Sequence, residues 1–461
     1  MKNNYLKLIV ETLWYLLIFL LPFTSLPLAG MILRSDMVAS PSIIFLLIIF
    51  PLIFVFHKHN LFSNTKYFLP LLIFGSLAFI SSLLSFFLPI PIQKQFSITS
   101  NIFEGLITLF IGISFFLVSL LLTQNEDFRK KTLKIIAYSF VPLLIWCIFQ
   151  FFFGQVVHIY PDWMISIQKL LTTSGALFRN RLTGFAFEPS WLAHQMNMFY
   201  IPIWAGLSFT RKSAFRKIRN RYMVEDIFLF FSIVILFLSK SRVGYITFIF
   251  VVFYLLYRLH KLLVLKLGTI NRISNKKILI KILPFILLVF YLTVIIGGLF
   301  FFSKFDSRME NLLNIEMYRN RNIFSIANEF VFAERVLYWQ TGWQIFNEFP
   351  ILGVGLGNSG FFFKDYLPSF AWALEEPRHL IFQANYQGNI KNLWIRLLSE
   401  TGMIGFLSFS IWLLTIYFIS DKLERAKTSK NRHRHWGLIG KIALISLFFE
   451  GFSIASFALP Y

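Results

Sequence analysis

Charged residues are scarce in this sequence of 461 residues. They account for 14% of it, whereas hydrophobic residues account for 57%, and the mean hydropathy is +0.67. A soluble globular protein carries about a quarter charged residues, so the composition excludes an ordinary soluble domain and indicates a polytopic membrane protein. Cysteine is almost absent. Cys147 stands alone in an apolar run, which excludes an internal disulfide and a cysteine-ligated metal cluster.

The sequence also lacks the motifs of soluble enzyme classes. It has no Walker loop, no His-Glu-x-x-His and no nucleophile elbow. Carboxylates do not cluster at metal-ligand spacing, so we predict neither a metal site nor a cofactor. A cleavable signal is not expected, because Lys2 and Lys7 precede an apolar run long enough to act as an anchor.

Long apolar runs are abundant. A helix needs about 20 apolar residues to cross about 30 Å of hydrocarbon. Runs near that length lie around residues 6–28, 39–56, 67–89, 100–122, 133–153, 190–210, 222–238, 243–257, 278–303, 392–419 and 436–460. They are continuous, not alternating, which excludes a β-barrel. We therefore predict an all-α polytopic transmembrane helix bundle of about 11–12 spans, with one large extracytoplasmic loop that contains amphipathic helices.

The predicted organisation has four parts. Residues 1–153 are N-terminal transmembrane helices, and residues 154–303 are central transmembrane helices with an outer loop at 154–189. Residues 304–391 form the large extracytoplasmic loop, and residues 392–461 are C-terminal transmembrane helices.

The net charge of +22 raises the question of nucleic-acid binding, and the placement of the basic residues answers it. They gather before the first span and in every second loop, around 57–66, 129–134, 211–221, 258–281 and 422–434. This is the positive-inside pattern, so we expect a cytoplasmic N-terminus and an external loop at 304–391. The basic loops are then topology signals beside anionic lipid headgroups, and no nucleic-acid partner is predicted.

The stretch from Glu334 to Gly357 stands out within the large loop. After Arg335 in the sequence, aromatic residues recur at helical spacing, namely Trp339, Trp343 and Phe346. Pro350 should end this helix. Three glycines then allow tight turns and a close approach to a ligand, and they are Gly353, Gly355 and Gly357. We interpret the stretch as a functional loop, with a lid that stabilises the bundle as the alternative.

Two further segments on the predicted outer side carry unusual charges. Pro189 suits the first turn of a helix, which puts Glu188 at the start of that helix and Arg181 just before it. The pair is either a structural ion pair or a substrate-side charge pair. Lys240 and Arg242 join two short apolar runs, each too short to cross the bilayer, so both cations should lie at membrane depth. Snorkelling to the interface is the alternative.

Lys391 to Gly405 is the fourth unusual segment. Asn392, Arg396 and Ser399 share one helical face, and Arg396 and Glu400 are spaced as an i, i+4 pair. Charges inside a span are costly, so this face should look into the bundle, where it either binds substrate or forms an internal ion pair.

In their order along the chain, these pieces resemble the O-antigen ligase and Wzy-type O-antigen polymerase superfamily of bacterial membrane glycosyltransferases. The resemblance covers roughly residues 181–405. It rests on Arg181-x-x-Gly184 with Glu188-Pro189, on Ser239-x-Ser241-Arg242, on Glu334-Arg335-x-x-x-Trp339 followed by Pro350-x-x-Gly353-Val354-Gly355, and on Asn392 with Glu400-x-Gly402.

The resemblance implies transfer of a glycan from an undecaprenyl-diphosphate carrier, without a metal, by a multi-pass protein of the bacterial cytoplasmic (inner) membrane whose active site faces the periplasm. Arg242 and Arg335 are then the diphosphate clamps. Substrate-binding residues would include Arg181, Lys240, Trp339, Lys391, Asn392 and Arg396. Implied partners are the undecaprenyl-diphosphate-linked glycan and membrane lipid, with a chain-length regulator and a flippase as optional ones.

One departure bears on the reaction. Ligases of the family carry a histidine just before the asparagine, where this chain has Lys391. Glu188 is therefore the candidate base, and a polymerase of lipid-linked units for lipopolysaccharide or related cell-envelope polysaccharide is favoured over a ligase that moves finished glycan to a lipid or protein. A polysaccharide transporter or flippase and a non-catalytic assembly subunit are the other readings.

Overall fold

The computed structural model describes residues 2–33, 39–56, 65–93, 95–215, 222–270, 285–293, 296–298, 300, 326, 332–382, 387–425 and 433–456. Within these ranges the regular elements are helices and there is no strand, so the predicted all-α class is confirmed. The helices as far as residue 270 are α1 (Lys2–Phe19), α2 (Pro27–Leu33), α3 (Pro41–Phe56), α4 (Thr65–Leu84), α5 (Ile98–Leu122), α6 (Glu126–Phe151), α7 (Asp162–Leu171), α8 (Pro189–Gln195), α9 (Ile201–Thr210), α10 (Val224–Leu238) and α11 (Arg242–Ile270). The later ones are α12 (Ala333–Glu348), α13 (Phe363–Tyr366), α14 (Glu375–Phe382), α15 (Leu393–Arg425) and α16 (Arg434–Glu450).

Five helical stretches of the described chain are long and apolar enough to cross a membrane. They are Tyr67–Phe87, Ile98–Leu122, Glu126–Val156, Arg242–Leu263 and Leu393–Arg425. Pro41–Val55 and Phe285–Gly298 are shorter apolar helices. The first predicted span, 6–28, is divided, because α1 ends at Phe19 and α2 starts only at Pro27. The opening of the predicted large loop, 304–331, lies outside the described residues apart from residue 326.

The junction of α10 and α11 was predicted to join two short helices, and half of that prediction is wrong. α10 has 15 residues, or about 22 Å, and is too short to cross the bilayer. α11 has 29 residues, or about 43 Å, because the helix continues past Tyr257 through the basic segment that follows. Only α10 therefore argues that the turn at 239–241 lies below the outer surface.

The described part of the large loop is joined to the bundle by a break in α15. Gly402 has φ 64° and ψ −170°, which interrupts the helical hydrogen bonds. The segment 350–355 replaces them. Met403 N–H donates to Pro350 O (2.8 Å) and Ile404 N–H to Ile351 O (3.3 Å). In the other direction, the N–H groups of residues 354 and 355 donate to the carbonyl oxygens of residues 399 and 400, each at 2.9 Å. Helix break and loop therefore satisfy each other's backbone groups.

The three loop glycines turn as predicted, but they approach the protein itself. Gly353, Gly355 and Gly357 have φ of 69°, 83° and 80°. A Cβ on Gly353 would lie 2.5 Å from the Glu400 carbonyl carbon, and one on Gly357 would lie 2.4 Å from Asn101 O. The glycines thus permit close packing of the loop between α4, α5 and α15. Their predicted approach to a ligand stays a prediction.

Candidate functional site

Arg335 lies in the first turn of α12 and is half-buried. Its guanidinium donates to Ser453 Oγ at 2.6 Å and to Ser453 O at 3.4 Å, and it stands 5.6 Å from the Phe332 ring. Burial lowers the pKa of Arg335 from its usual value. Four carboxylates oppose this by favouring its charged form, and they are Glu188, Glu376, Glu334 and Glu450. Arg335 is therefore a cation held by Ser453 and stabilised by the charges of Glu334 and of three acids from distant parts of the chain.

Trp339 follows one turn after Arg335 and packs on the same C-terminal segment. Its ring lies 5.3 Å from Phe332 and 6.1 Å from Phe452. The indole Nε1 is buried and has no hydrogen-bond partner within the described ranges. The predicted aromatic face of α12 is thus partly used for packing, with one indole donor still available.

The predicted junction around Arg242 is brought against Arg181. Arg181 Nε donates to Ser239 O at 3.0 Å, and the next residue's N–H donates to Leu238 O at 3.0 Å. Lys240 adopts a left-handed conformation with φ 49°. Ser241 Oγ accepts from Gly244 N–H at 3.4 Å, so Ser241 caps the N-terminus of α11, whose first residue is Arg242. Two of the motifs that were separate in sequence are therefore in contact.

Glu188 occupies the N-cap position of α8, with Pro189 in the first turn as predicted. Its carboxylate accepts a short hydrogen bond from the Ser190 hydroxyl. Glu188 also heads the carboxylates whose charge acts on Arg335. The candidate base therefore lies in the neighbourhood of the candidate clamp.

A buried polar cluster next to Arg335 was missed at the level of sequence. His194 Nε2 lies 3.1 Å from Glu450 Oε2, and Asn197 Nδ2 donates to Glu450 Oε1 at 2.6 Å and to Gly244 O at 2.9 Å. Asn197 lies in a π-helical turn, a feature frequent at functional sites. The cluster links α8, α11 and α16. Its signal in the sequence was Glu450, a lone acid closing an apolar span.

Lys391 is held by the large loop. Its Nζ forms a short ion pair with Glu376 Oε1 and stands 5.5 Å from the Tyr338 ring. Glu376 N–H donates to Glu334 Oε1 at 3.1 Å, and burial raises the pKa of Glu334 above its usual value. Lys391 is thus tied to the carboxylates that surround Arg335.

Asn392 and Arg396 are engaged with the protein itself. Asn392 is fully buried, and its Oδ1 accepts from Trp394 N–H (2.9 Å) and Ile395 N–H (3.1 Å), so it caps α15. Arg396 Nε is 2.9 Å from Glu400 Oε2, which confirms the predicted i, i+4 pair, and Arg396 also donates to Ala455 O. Their roles in substrate binding stay predictions.

Two of the motifs therefore meet at the segment 453–455, where Arg335 contacts Ser453 and Arg396 contacts Ala455. Residues 227–410, which run from α10 into α15 and include Arg242 and Arg335, match the family model described as O-antigen ligase. This part of the chain is therefore similar to O-antigen ligases. The matched stretch is less than half of the 461 residues, and it excludes Arg181, Glu188 and Glu450. No curated protein matches the chain.

The match to the O-antigen ligase family bears on the function at a coarse level. Together with the five helical stretches of the described chain that are long and apolar enough to cross a membrane, it indicates an integral membrane protein. The activity that the family implies is of the glycosyltransferase type.

Proposed function

We propose that the protein is a membrane glycosyltransferase that joins undecaprenyl-diphosphate-linked glycan units at the outer face of the bacterial cytoplasmic membrane. The observation that supports the proposal is the charge interaction of Arg335 with Glu188 and Glu376, the second of which is also paired with Lys391. A glycosyl transfer to a hydroxyl needs a cation for the leaving diphosphate and a base for the proton, and both types of group lie there.

In this mechanism an acceptor hydroxyl attacks the anomeric carbon of the donor sugar. The bond from that carbon to the diphosphate oxygen breaks, and its electron pair leaves with the lipid diphosphate. Arg335 and Arg242 stabilise the growing negative charge by bidentate hydrogen bonds, which are strongest in a site of low dielectric constant. Glu188 accepts the proton of the acceptor. None of these steps calls for a metal ion.

Support for the arginine clamp comes from how Arg335 is held. Its hydrogen bond to Ser453 Oγ at 2.6 Å fixes the guanidinium before substrate arrives, so less reorganisation is needed during the reaction. Asn197 Nδ2 donates hydrogen bonds to Gly244 O, two residues after Arg242, and to Glu450 Oε1. The charge of Glu450 in turn acts on Arg335. A short chain of contacts thus runs from the start of α11 to Arg335, which favours convergence of the two arginines.

The test is transfer by the purified protein from a lipid-diphosphate-linked oligosaccharide. Arg335→Ala and Arg242→Ala should each lower kcat by about 10²–10³-fold. Arg335→Lys should recover little of it, because the planar fork is lost. Arg378→Ala is the matched control, since Arg378 is an exposed arginine of α14 outside the cluster. Activity of Arg335→Ala at the level of this control would refute the clamp.

A polymerase is the first choice and a ligase the second. Lys391 stands where ligases keep histidine, which favours the polymerase, although a second anionic substrate would have to displace Glu376 from Lys391. The description of the matching family favours the ligase. Deletion of the gene distinguishes them. Loss of a polymerase leaves single repeat units on the final acceptor, whereas long chains stranded on the lipid carrier would refute the polymerase.

A further inference from the structure

A polar cavity of about 240 Å³, whose lining does not include Arg335, lies between the start of α5, the glycine loop, residues 387–389 and the start of α15. Its lining is unlike that of the apolar helix faces around it. The groups that argue for a ligand are the amides of Asn101, Gln387 and Asn389, the carboxylate of Glu104 and the hydroxyl of Thr108. None of these five was singled out as a site residue from the sequence.

The charge of the cavity decides which ligands it can accept. Arg396 also lines it, but its guanidinium is already paired with Glu400 at 2.9 Å. The second carboxylate, that of Glu104, has no such compensation among the lining residues, so the cavity carries net negative charge. A phosphate or a uronic acid would be repelled. A neutral or cationic ligand is favoured.

The hydrogen-bonding groups suit a ligand rich in hydroxyls. Asn101 Nδ2 donates to Gly357 O (3.1 Å) and to Gln387 Oε1 (2.8 Å), which fixes both amides. Gln387 Nε2 is buried and has no hydrogen-bond partner in the described part of the chain, so it offers an unused donor. The Thr108 hydroxyl donates to Glu104 O (2.7 Å), which leaves its oxygen as an acceptor. The cavity therefore offers both hydrogen-bond donors and acceptors.

Glu104 is hard to explain as a structural residue. It lies six residues into α5, about 9 Å from the start of a helix apolar enough to span the membrane, and it is exposed. A carboxylate at such a position is costly and more often serves a function. The cavity volume equals that of about eight water molecules at roughly 30 Å³ each, which is ample for a single sugar ring.

We propose that this cavity binds one neutral or amino-bearing sugar residue of the lipid-linked glycan. The proposal rests on the function proposed above and adds a subsite to it. The subsite is near the cluster, since Arg396 donates to Ala455 O and Arg335 to Ser453, two residues earlier. Glu104 accepts from sugar hydroxyls or an amino group, and Gln387 Nε2 donates to a ring substituent.

The test measures sugar binding without transfer. Saturation-transfer NMR on the full-length protein in detergent would compare methyl glycosides of glucose, galactose, glucosamine and glucuronic acid. We expect at least one neutral or amino glycoside to bind about tenfold or more tightly than the glucuronide. Glu104→Gln should abolish this discrimination, and Thr108→Val should weaken binding of the preferred sugar.

Glu375→Gln is the matched control, because Glu375 is an exposed glutamate of α14 outside the cavity. It should bind as the wild type does. Equal binding of glucuronide and neutral glycosides, or unchanged discrimination in Glu104→Gln, would overturn the subsite. Should Glu104→Gln fail to fold, Thr108→Val decides instead, and wild-type affinity there overturns it. Sugar binding without any transfer activity would count against the proposed function, whereas transfer without sugar binding would count against the subsite alone.

Discussion

Replacing Gly402 by alanine should detach the glycine loop from the membrane bundle. At φ 64° and ψ −170° the residue occupies a region that is essentially restricted to glycine, and another residue there costs about 1–3 kcal/mol. The added Cβ would also lie 2.2 Å from Ile351 O and 2.3 Å from its carbonyl carbon. Both are backbone atoms, so the loop itself has to move.

That movement breaks the reciprocal hydrogen bonds between α15 and the segment 350–355. The four hydrogen bonds measure 2.8, 3.3, 2.9 and 2.9 Å. Each contributes about 1 kcal/mol net, so loss of two to four, added to the backbone strain, should destabilise the protein by about 3–7 kcal/mol. This is a large fraction of the ordinary stability of a folded domain, about 5–15 kcal/mol.

Thermal unfolding in detergent, followed by size-exclusion chromatography, measures the effect. Limited proteolysis of the large loop should show early cleavage in Gly402→Ala. Gly297→Ala is the control, since a Cβ there would meet no heavy atom within 4 Å. If Gly402→Ala unfolds at the same temperature as Gly297→Ala and its loop stays protected from protease, the hydrogen bonds between α15 and the segment 350–355 are not what holds the loop.

Four further outcomes are expected. Asn392→Ala removes the cap of α15 and should cost about 0.5–2 kcal/mol of stability. Phe382→Cys, on an exposed position of α14, should react with an impermeant thiol reagent from outside the cell, and buried Cys147 should not interfere. Burial raises the pKa of Glu334, so its ionisation opposes folding as the pH rises above about 4.5, and Glu334→Gln should reduce this loss of stability. Transfer should persist in a chelator.

Each of these outcomes has a result that contradicts it. Asn392→Asp keeps an acceptor at the cap, and an equal loss of stability in both variants would deny the cap its role. Labelling of Phe382→Cys only after permeabilisation would reverse the predicted topology. For Glu334, an unchanged slope of stability against pH in the glutamine variant would show that another group is responsible. Complete inhibition by EDTA, reversed by a divalent cation, would overturn the metal-free mechanism.

Local features of the site could be predicted from sequence because they depend on helical spacing. The Arg396–Glu400 pair follows from a separation of four residues, and the Ser241 cap follows from its place before an apolar run. Pro189 in the first turn of α8 follows from its fixed φ and missing N–H. In each case the partners are near neighbours in the chain, so no tertiary information was needed.

The remaining features depend on contacts between distant segments. The glycine loop reads as a turn near a ligand, yet its neighbours are Asn101 and Glu400, which belong to other helices. His194 and Glu450 are 256 residues apart in the sequence, yet their side chains lie 3.1 Å apart. Glu104 and residues 387–389 line one cavity although almost 300 residues separate them in the sequence.

The contacts of the segment 453–455 have a consequence for the order in which the protein is made. Arg335 precedes Ser453 by 118 residues, and Ser453 comes after the last of the described helices. At about 5–20 residues per second, the ribosome delivers Ser453 roughly 6–24 seconds after Arg335. During that interval the guanidinium has no Ser453 to fix it. The nascent chain thus completes its candidate site only after α16 has been synthesised.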